Sequence, residues 1–257
     1  MQPSGPGKRF RVALSSGITT TAVPPEITIV VPVFNEADNV LPMAREVAAA
    51  FKGVNRSWEL LFVDDASSDD TPRRIAEARA ADPRVRSVRH ARNVGQSAAV
   101  WTGVQNSTAP IIATLDGDLQ NDPADLPRLL AELTDVDFVC GVRLKRQDSF
   151  SKRISTRVAR WARKTALGMD FRDTGCALRV FKRPVLDGVL PFNGWHRFLP
   201  ILVAGNGATT REVTVNHRPR VAGVSKYGVW NRVWRGLYDL IGVGWLQRRR
   251  LKRVPIE

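Results

Sequence analysis

The sequence predicts an α/β protein: a mostly parallel sheet with helices on both faces. Three observations carry that expectation. Apolar, β-branched runs recur five times between residues 27 and 142, at 27–34, 59–63, 85–88, 111–115 and 138–142. Each of the first four is followed by a helical stretch, at 38–53, 71–81, 96–107 and 123–133. The runs are apolar throughout instead of alternating, as in Ile-Thr-Ile-Val-Val-Pro-Val-Phe. That is the pattern of strands buried on both faces, and strand–helix alternation pairs successive strands in parallel.

The elements follow in order. Residues 1–25 are rich in Ser, Thr, Gly and Pro without periodicity and read as a mobile tail. Two helix starts are well signalled, because Asp70-Thr71-Pro72 and Asp122-Pro123 set a capping residue at or just before a proline. After residue 142 the pattern changes. Residues 151–168 place Arg153, Arg157, Arg160 and Lys164 at helical spacing around Ile154, Val158, Trp161 and Leu167. A second cationic amphipathic helix is expected over 229–251, with Trp230, Trp234 and Trp245 among Arg232 and Arg235, ending in the basic cluster 248–253. The expected division is a tail at 1–25, an α/β domain at 26–228 and a basic amphipathic segment at 229–257. No internal repeat is visible.

Composition narrows the function classes. The chain has 257 residues, 43% hydrophobic and 25% charged, which suits one large domain or two small ones and excludes wholesale disorder. Two cysteines, Cys140 and Cys176, exclude a disulfide scaffold and read as reduced core thiols. No apolar run reaches the ~18 residues of a membrane span; the nearest, 189–204, is broken by Asn193, His196 and Arg197. No apolar core follows Lys8, Arg9 and Arg11, so no secretory signal is expected and the cytosol is the default compartment. The net charge is +14, unevenly spread: residues 1–142 hold 14 basic and 18 acidic side chains, and residues 143–257 hold 25 and 7. The basic half reads as a surface for a polyanion, either nucleic acid or an anionic membrane. No zinc-finger spacing or aromatic RNA-binding signature accompanies it, so a nucleic-acid-binding protein is only the remote alternative.

In open parallel sheets, ligands bind beyond the carboxyl ends of the strands. Three predicted strands end in polar clusters there: Pro32-Val33-Phe34-Asn35-Glu36, then 64–71 with Asp64, Asp65 and Ser67, then Asp116-Gly117-Asp118-Leu119-Gln120. Asp69 and Asp70 are read as helix caps. Asp116 and Asp118 are not, since neither directly precedes a helix start. Two carboxylates at i and i+2, with Gln120 as a further oxygen, suit a hard divalent cation that also grips phosphate.

These motifs occur in order with Asn93-x-Gly95, with 173–179 (Asp-Thr-Gly-Cys-Ala-Leu-Arg), with His196-Arg197-Phe198, and with 216–220 followed by Ser225-Lys226-Tyr227. Together they resemble glycosyltransferase family 2, of GT-A fold, in its dolichyl/undecaprenyl-phosphate sugar transferase branch. The resemblance covers about residues 26–245. It implies a metal-dependent, inverting transfer of a sugar from a nucleotide-diphosphate sugar to a polyprenyl phosphate at the cytosolic membrane face. It places Pro32, Asn35, Glu36, Asp65, Ser67, Asn93, Gly95 and Asp116 around the nucleotide sugar, and Mg²⁺ or Mn²⁺ on Asp116, Asp118 and Gln120. Arg143, Arg179, Arg197 and Ser225 would contact the acceptor phosphate. Asp118, Arg218, Lys226 and Asp173 would serve catalysis, with Asp173 orienting Arg179 or acceptor groups. An anionic acceptor oxygen needs alignment more than a base.

Many such proteins carry transmembrane helices after the catalytic domain. None is recognisable up to Glu257, so attachment is expected through the amphipathic helices on an anionic surface, or through a separate membrane-protein anchor. A same-fold enzyme acting on a glycan or protein hydroxyl is the nearer alternative. His90 is read as a strand-end surface residue, His196 as either a phosphate neighbour or a packing residue, and Trp58 and Trp101 as core.

Overall fold

The computed structural model describes residues 24–143, 164–165, 168–219 and 229–249, with side chains in the last stretch for 236 and 238–249. Most of the predicted helix 151–168, together with Ser225 and Lys226, lies outside the described residues, as do the side chains of Trp230 and Trp234. One sheet holds β1 (Ile27–Val33), β2 (Trp58–Asp64), β3 (Val85–Arg89), β4 (Ile111–Thr114), β5 (Phe138–Arg143), β6 (Arg179–Lys182) and β7 (Thr210–Val215). Their order across the sheet is β3-β2-β1-β4-β6-β5-β7. Every pairing is parallel except those of β6, which runs against both β4 and β5. The expected mostly parallel sheet is therefore present.

The apolar runs explain the layers. In β1, Ile27, Ile29, Val31 and Val33 face one core with Val40, Met43 and Val47 of α1 (Ala37–Ala50), Ile75 of α2 (Thr71–Ala81) and Leu126 of α4 (Leu126–Ala131). Val30 of β1 and Leu61 and Val63 of β2 face the other core. They meet Ala99, Val100 and Val104 of α3 (Gln96–Gln105), the buried face of α5 (Leu199–Gly205) and Val243 of α6 (Val229–Arg249). α3 lies so close to β1 that a Cβ on Gly103 would sit 2.3 Å from Val30 Cγ1. The broken apolar run 189–204 is core, with Trp195, Leu199, Ile201, Leu202 and Val203 all buried. Among the described residues no helix is long and apolar enough to cross a membrane.

The helix starts use their signals differently from one another. Asp122 accepts a bond from the Ala124 N–H, as a cap should. Asp70 occupies the cap position of α2 without a capping bond and pairs with Arg73 instead. Asp69 accepts from the Thr71 N–H at 3.0 Å and does the capping. Two strands, β6 and β7, were not predicted. Arg-Val-Phe-Lys is four residues flanked by cations, and β7 is a half-buried edge strand with mixed residues.

Away from the carboxyl edge, Arg183 closes the last turn of α3. Its guanidinium donates to the carbonyls of Ala109, Val104 and Ser107 at 2.8, 3.0 and 2.7 Å. Carbonyls at a helix end have no intrahelical partner, and a cation there also meets the negative end of the helix dipole. Arg183→Ala is expected to cost about 2–4 kcal/mol, because charged hydrogen bonds vanish and carbonyls are stranded. Urea denaturation measures this, and a cost below the half-kilocalorie scale of ordinary surface changes would overturn it.

Candidate functional site

Six parallel strands point their carboxyl ends to one edge, and the single reversed strand brings its amino end there. Arg179 opens β6 opposite Thr114 of β4 and Cys140 of β5. Most of the polar residues singled out in the sequence therefore gather along one edge. Among the described residues three non-glycine residues have positive φ, and all lie in the loops that follow β1, β2 and β4: Asn35 at 53°, Ala66 at 62° and Leu119 at 58°. Such strain persists only where the surroundings hold it, and it concentrates at functional sites.

The first two strand ends hold each other. The Asn35 N–H donates to Ser67 Oγ at 2.9 Å, and its Oδ1 accepts from the Ser68 N–H at 2.8 Å. The Ser67 N–H donates to Asp64 Oδ1, and the Glu36 N–H to Thr71 Oγ1. Glu36, half-buried, accepts from Asn39 Nδ2 at 2.6 Å.

Asp65 is 3% exposed and its oxygens are engaged: Oδ1 with the Val94 N–H at 3.0 Å, Oδ2 with the Gly95 N–H at 2.7 Å. His90 Nδ1 reaches Oδ1 at 2.7 Å, and its Nε2 reaches Thr102 Oγ1 at 2.9 Å. His90 is thus no bare surface residue, in correction of the sequence reading; it buttresses Asp65. Asn93 bonds the Asp65 carbonyl, and Gly95 takes φ 94° at the start of α3. Asp65 shapes the 93–95 loop.

That loop aims α3 at the next strand end. Gln96 Nε2 donates to Asp116 Oδ1 at 2.6 Å. Gly117 is required between the two acids, since a Cβ there would lie 2.7 Å from Val33 Cγ1 and 2.9 Å from the Pro32 carbonyl oxygen. Asp118 is 8% exposed, and its Oδ1 accepts from the Gln120 N–H. Burial and then the Asp118 charge push the Asp116 carboxyl up to about 6. The two carboxylates repel across a poorly solvated gap. They form a hard-oxygen donor set, and with Gln120 they fit a divalent cation that takes its remaining ligands from phosphate and water. Among the described residues no three His, Cys, Asp or Glu side chains gather to hold a metal by themselves.

Cations flank the acids. Arg143 grips Asp173 with two bonds, Nε to Oδ2 at 2.7 Å and an Nη to Oδ1 at 2.8 Å. Burial acts to lower its pKa, but the Asp173 bond prevails and the net shift is upward. Asp173 therefore orients Arg143. Arg179 is 3% exposed, donates to the Thr174 carbonyl and leaves its Nε without a partner. Desolvation lowers its pKa, opposed by the nearby Asp116 and Asp173 carboxylates. Its charge acts on Asp116 from nearby and draws the Asp116 pKa down against burial.

His196 bonds Ser97 Oγ at 2.7 Å, and burial, then Arg179 and Arg197, drive it down to about 3. The neutral imidazole fits packing better than phosphate contact. Arg197 beside it is exposed. Arg218 is not an uncommitted cation: it pairs with Glu46 at 2.6 Å and Asp122 at 2.7 Å. Gln96 and Ser97 were missed by sequence reasoning, although their place just after Asn93-x-Gly95, at a helix start, was a usable signal.

The family pattern described as Glycosyl transferase family 2 matches residues 28–187. A dodecaprenyl-phosphate galacturonate synthase of Rhizobium johnstonii is 37% identical over 236 residues, covering 88% of this chain and 69% of that protein. An undecaprenyl-phosphate 4-deoxy-4-formamido-L-arabinose transferase of Salmonella dublin is 34% identical, covering 84% and 66%. The chain thus spans about two thirds of the length of these relatives. In fold it is similar to glucosyl-3-phosphoglycerate synthase of Mycobacterium tuberculosis, solved with Mn²⁺, UDP-glucose and phosphoglyceric acid, at TM-score 0.63 and 17% identity over 85% of this chain and 80% of that one. It is also similar to a Pyrobaculum calidifontis mannosyltransferase solved with GDP-Man and Mn²⁺, at TM-score 0.59 and 21% identity over 91% and 66%. The buried Asp-Gly-Asp turn beyond a parallel sheet thus belongs to a glycosyltransferase, and the chain is a member of glycosyl transferase family 2.

Proposed function

We propose that this chain moves a sugar from a nucleotide-diphosphate sugar to a polyprenyl phosphate at the cytosolic membrane face, with inversion and with Mg²⁺ or Mn²⁺ as cofactor. The observation that carries the reading is the close acid pair Asp116 and Asp118 at the carboxyl end of β4. Both similar structures named above contain Mn²⁺. Asp116, Asp118 and Gln120 would hold the cation, which would neutralise the donor diphosphate. Pro32, Asn35, Glu36 and Ser67 form one wall for the nucleotide, and Asp65 forms the other by fixing Asn93 to Gly95. Arg143, exposed Arg197, Ser225 and Lys226 supply phosphate contacts for the acceptor.

The relatives named for polyprenyl-phosphate substrates support the acceptor class. So does Asp173, whose oxygens are taken up by Arg143 and the Gly175 N–H. A hydroxyl acceptor requires a base that a phosphate oxygen does not.

Membrane attachment through α6 is part of the reading. Leu240, Val243 and Leu246 pack on the core, and Gln247 bonds the Ile201 carbonyl. Tyr238, Ile241 and Trp245 point away, 81%, 66% and 63% exposed, with Arg248 and Arg249 exposed beyond them. An aromatic stripe flanked by cations suits an anionic headgroup layer; a membrane-protein partner is the alternative occupant.

Three outcomes are expected. In EDTA, burial holds the Asp116 carboxyl at about 6, well above the ordinary carboxylate range, so stability falls as pH rises through that interval. Asp116→Asn should then be more stable than the native protein at pH 7.5 by about 1–2 kcal/mol, discounted for partial exposure, with the advantage gone near pH 4. An advantage constant with pH would contradict it. Second, purified protein with Mn²⁺, undecaprenyl phosphate and a panel of nucleotide sugars should yield organic-extractable sugar, and Asp118→Ala should lose about a hundredfold or more. Undiminished transfer in EDTA, or by the variant, would remove the metal-dependent reading. Third, the protein should float with anionic vesicles at low salt, less so at high salt or with Trp245→Ala. Failure of the intact chain to float would leave the partner-anchored version.

A further inference from the structure

The chain leaving β7 is stitched along the loop that follows β4. Arg128 donates to the Thr214 carbonyl, and the Asn216 N–H donates to Asp125 Oδ2 at 2.7 Å. Asn121 and His217 form an antiparallel bridge. The Arg218 N–H donates to the Gln120 carbonyl at 2.8 Å. The Arg218 guanidinium then spreads its two Nη atoms between Asp122 at 2.7 Å and Glu46 of α1 at 2.6 Å.

The fastened loop is the one that carries Asp118 and Gln120, and it turns through Leu119 at φ 58°. A non-glycine residue in that region is strained, and the surroundings must hold it. An exposed ion pair alone would hold little: the Arg218 and Glu46 side chains are 37% and 35% exposed. The Asp122 side chain is 15% exposed, and the bond from the Arg218 N–H to the Gln120 carbonyl fixes Arg218 a second time. Several bonds converging on one short segment act as a network.

We infer that Arg218 is a positioning residue, a clasp that pins the Asp118–Gln120 loop to α1 through Glu46 and Asp122, and not a contact to substrate phosphate. A phosphate-binding arginine would need a free fork, and both ends of this fork are occupied. The role in catalysis rests on the proposed function, since it supposes that the loop serves the donor diphosphate.

The test uses the full chain with Arg218→Ala, Glu46→Ala, their double variant and Glu46→Gln. Glu46 touches no expected substrate group, so its removal separates the two roles of Arg218. Hydrogen exchange of peptides spanning 117–125 and 214–219 is followed without substrate, alongside kcat/KM for the nucleotide sugar. For a clasp, each alanine variant should speed exchange in both peptides by about five- to thirtyfold. Each should also lower kcat/KM by a similar factor, with the double variant no worse than the poorer single. Glu46→Gln, whose amide oxygen still accepts from Arg218, should recover part of both losses.

If Arg218→Ala cuts turnover while Glu46→Ala leaves exchange and turnover at wild-type values, Arg218 acts on phosphate directly and the clasp is overturned. Unchanged exchange in both alanine variants also overturns it. If the native chain transfers no sugar but its loop loosens in the variants, the clasp stands and only the functional reading falls.

Discussion

The structure turns on the mutual repulsion of Asp116 and Asp118 at the carboxyl end of β4. Two carboxylates in a poorly solvated edge raise each other's free energy, and the fold answers with positive charge placed by design of its topology. Arg179 and Arg143 both act on Asp116, and Arg143 is itself held by Asp173. The result is an alternating array of charges that stays short of neutral at the acid pair. That residual excess is what draws a cation and its phosphate ligands in the reading favoured above.

The reversed strand β6 makes this array possible. Between parallel neighbours it exposes its amino end where they expose their carboxyl ends, so the first residue of β6, Arg179, is delivered to the site. The cost is a guanidinium with an unpartnered Nε in a place where water is scarce. The charges of Asp116 and Asp173 partly offset that cost. On the other flank, α3 enters through Gly95 under the control of Asp65 and His90, and it supplies Gln96 to Asp116 and Ser97 to His196.

The two faces of α6 illustrate how one helix divides its labour. A face with Leu240, Val243 and Leu246 completes the core over α5, so the helix is anchored by apolar burial. The opposite stripe, Tyr238, Ile241 and Trp245, is left over once that burial is satisfied. In the proposed reading, these aromatic and aliphatic side chains beside arginines are the surface that meets anionic lipid.

The sequence by itself determined the strands β1 to β5, because buried parallel strands must be apolar on both faces and that pattern is local. It determined the strand-end acids and the family, since both are written in short contiguous motifs. Only the tertiary structure decided which charge meets which. Arg143 finds Asp173 across 30 residues and Arg218 finds Glu46 across 172, and no local pattern encodes pairings of that range. It also decided that β6 and β7 are strands: the four residues of β6 gain their conformation from neighbours on both sides, and β7 from a parallel edge pairing with β5. Burial, a property of the whole packed sheet, placed the Arg179 guanidinium out of water and left His196 neutral.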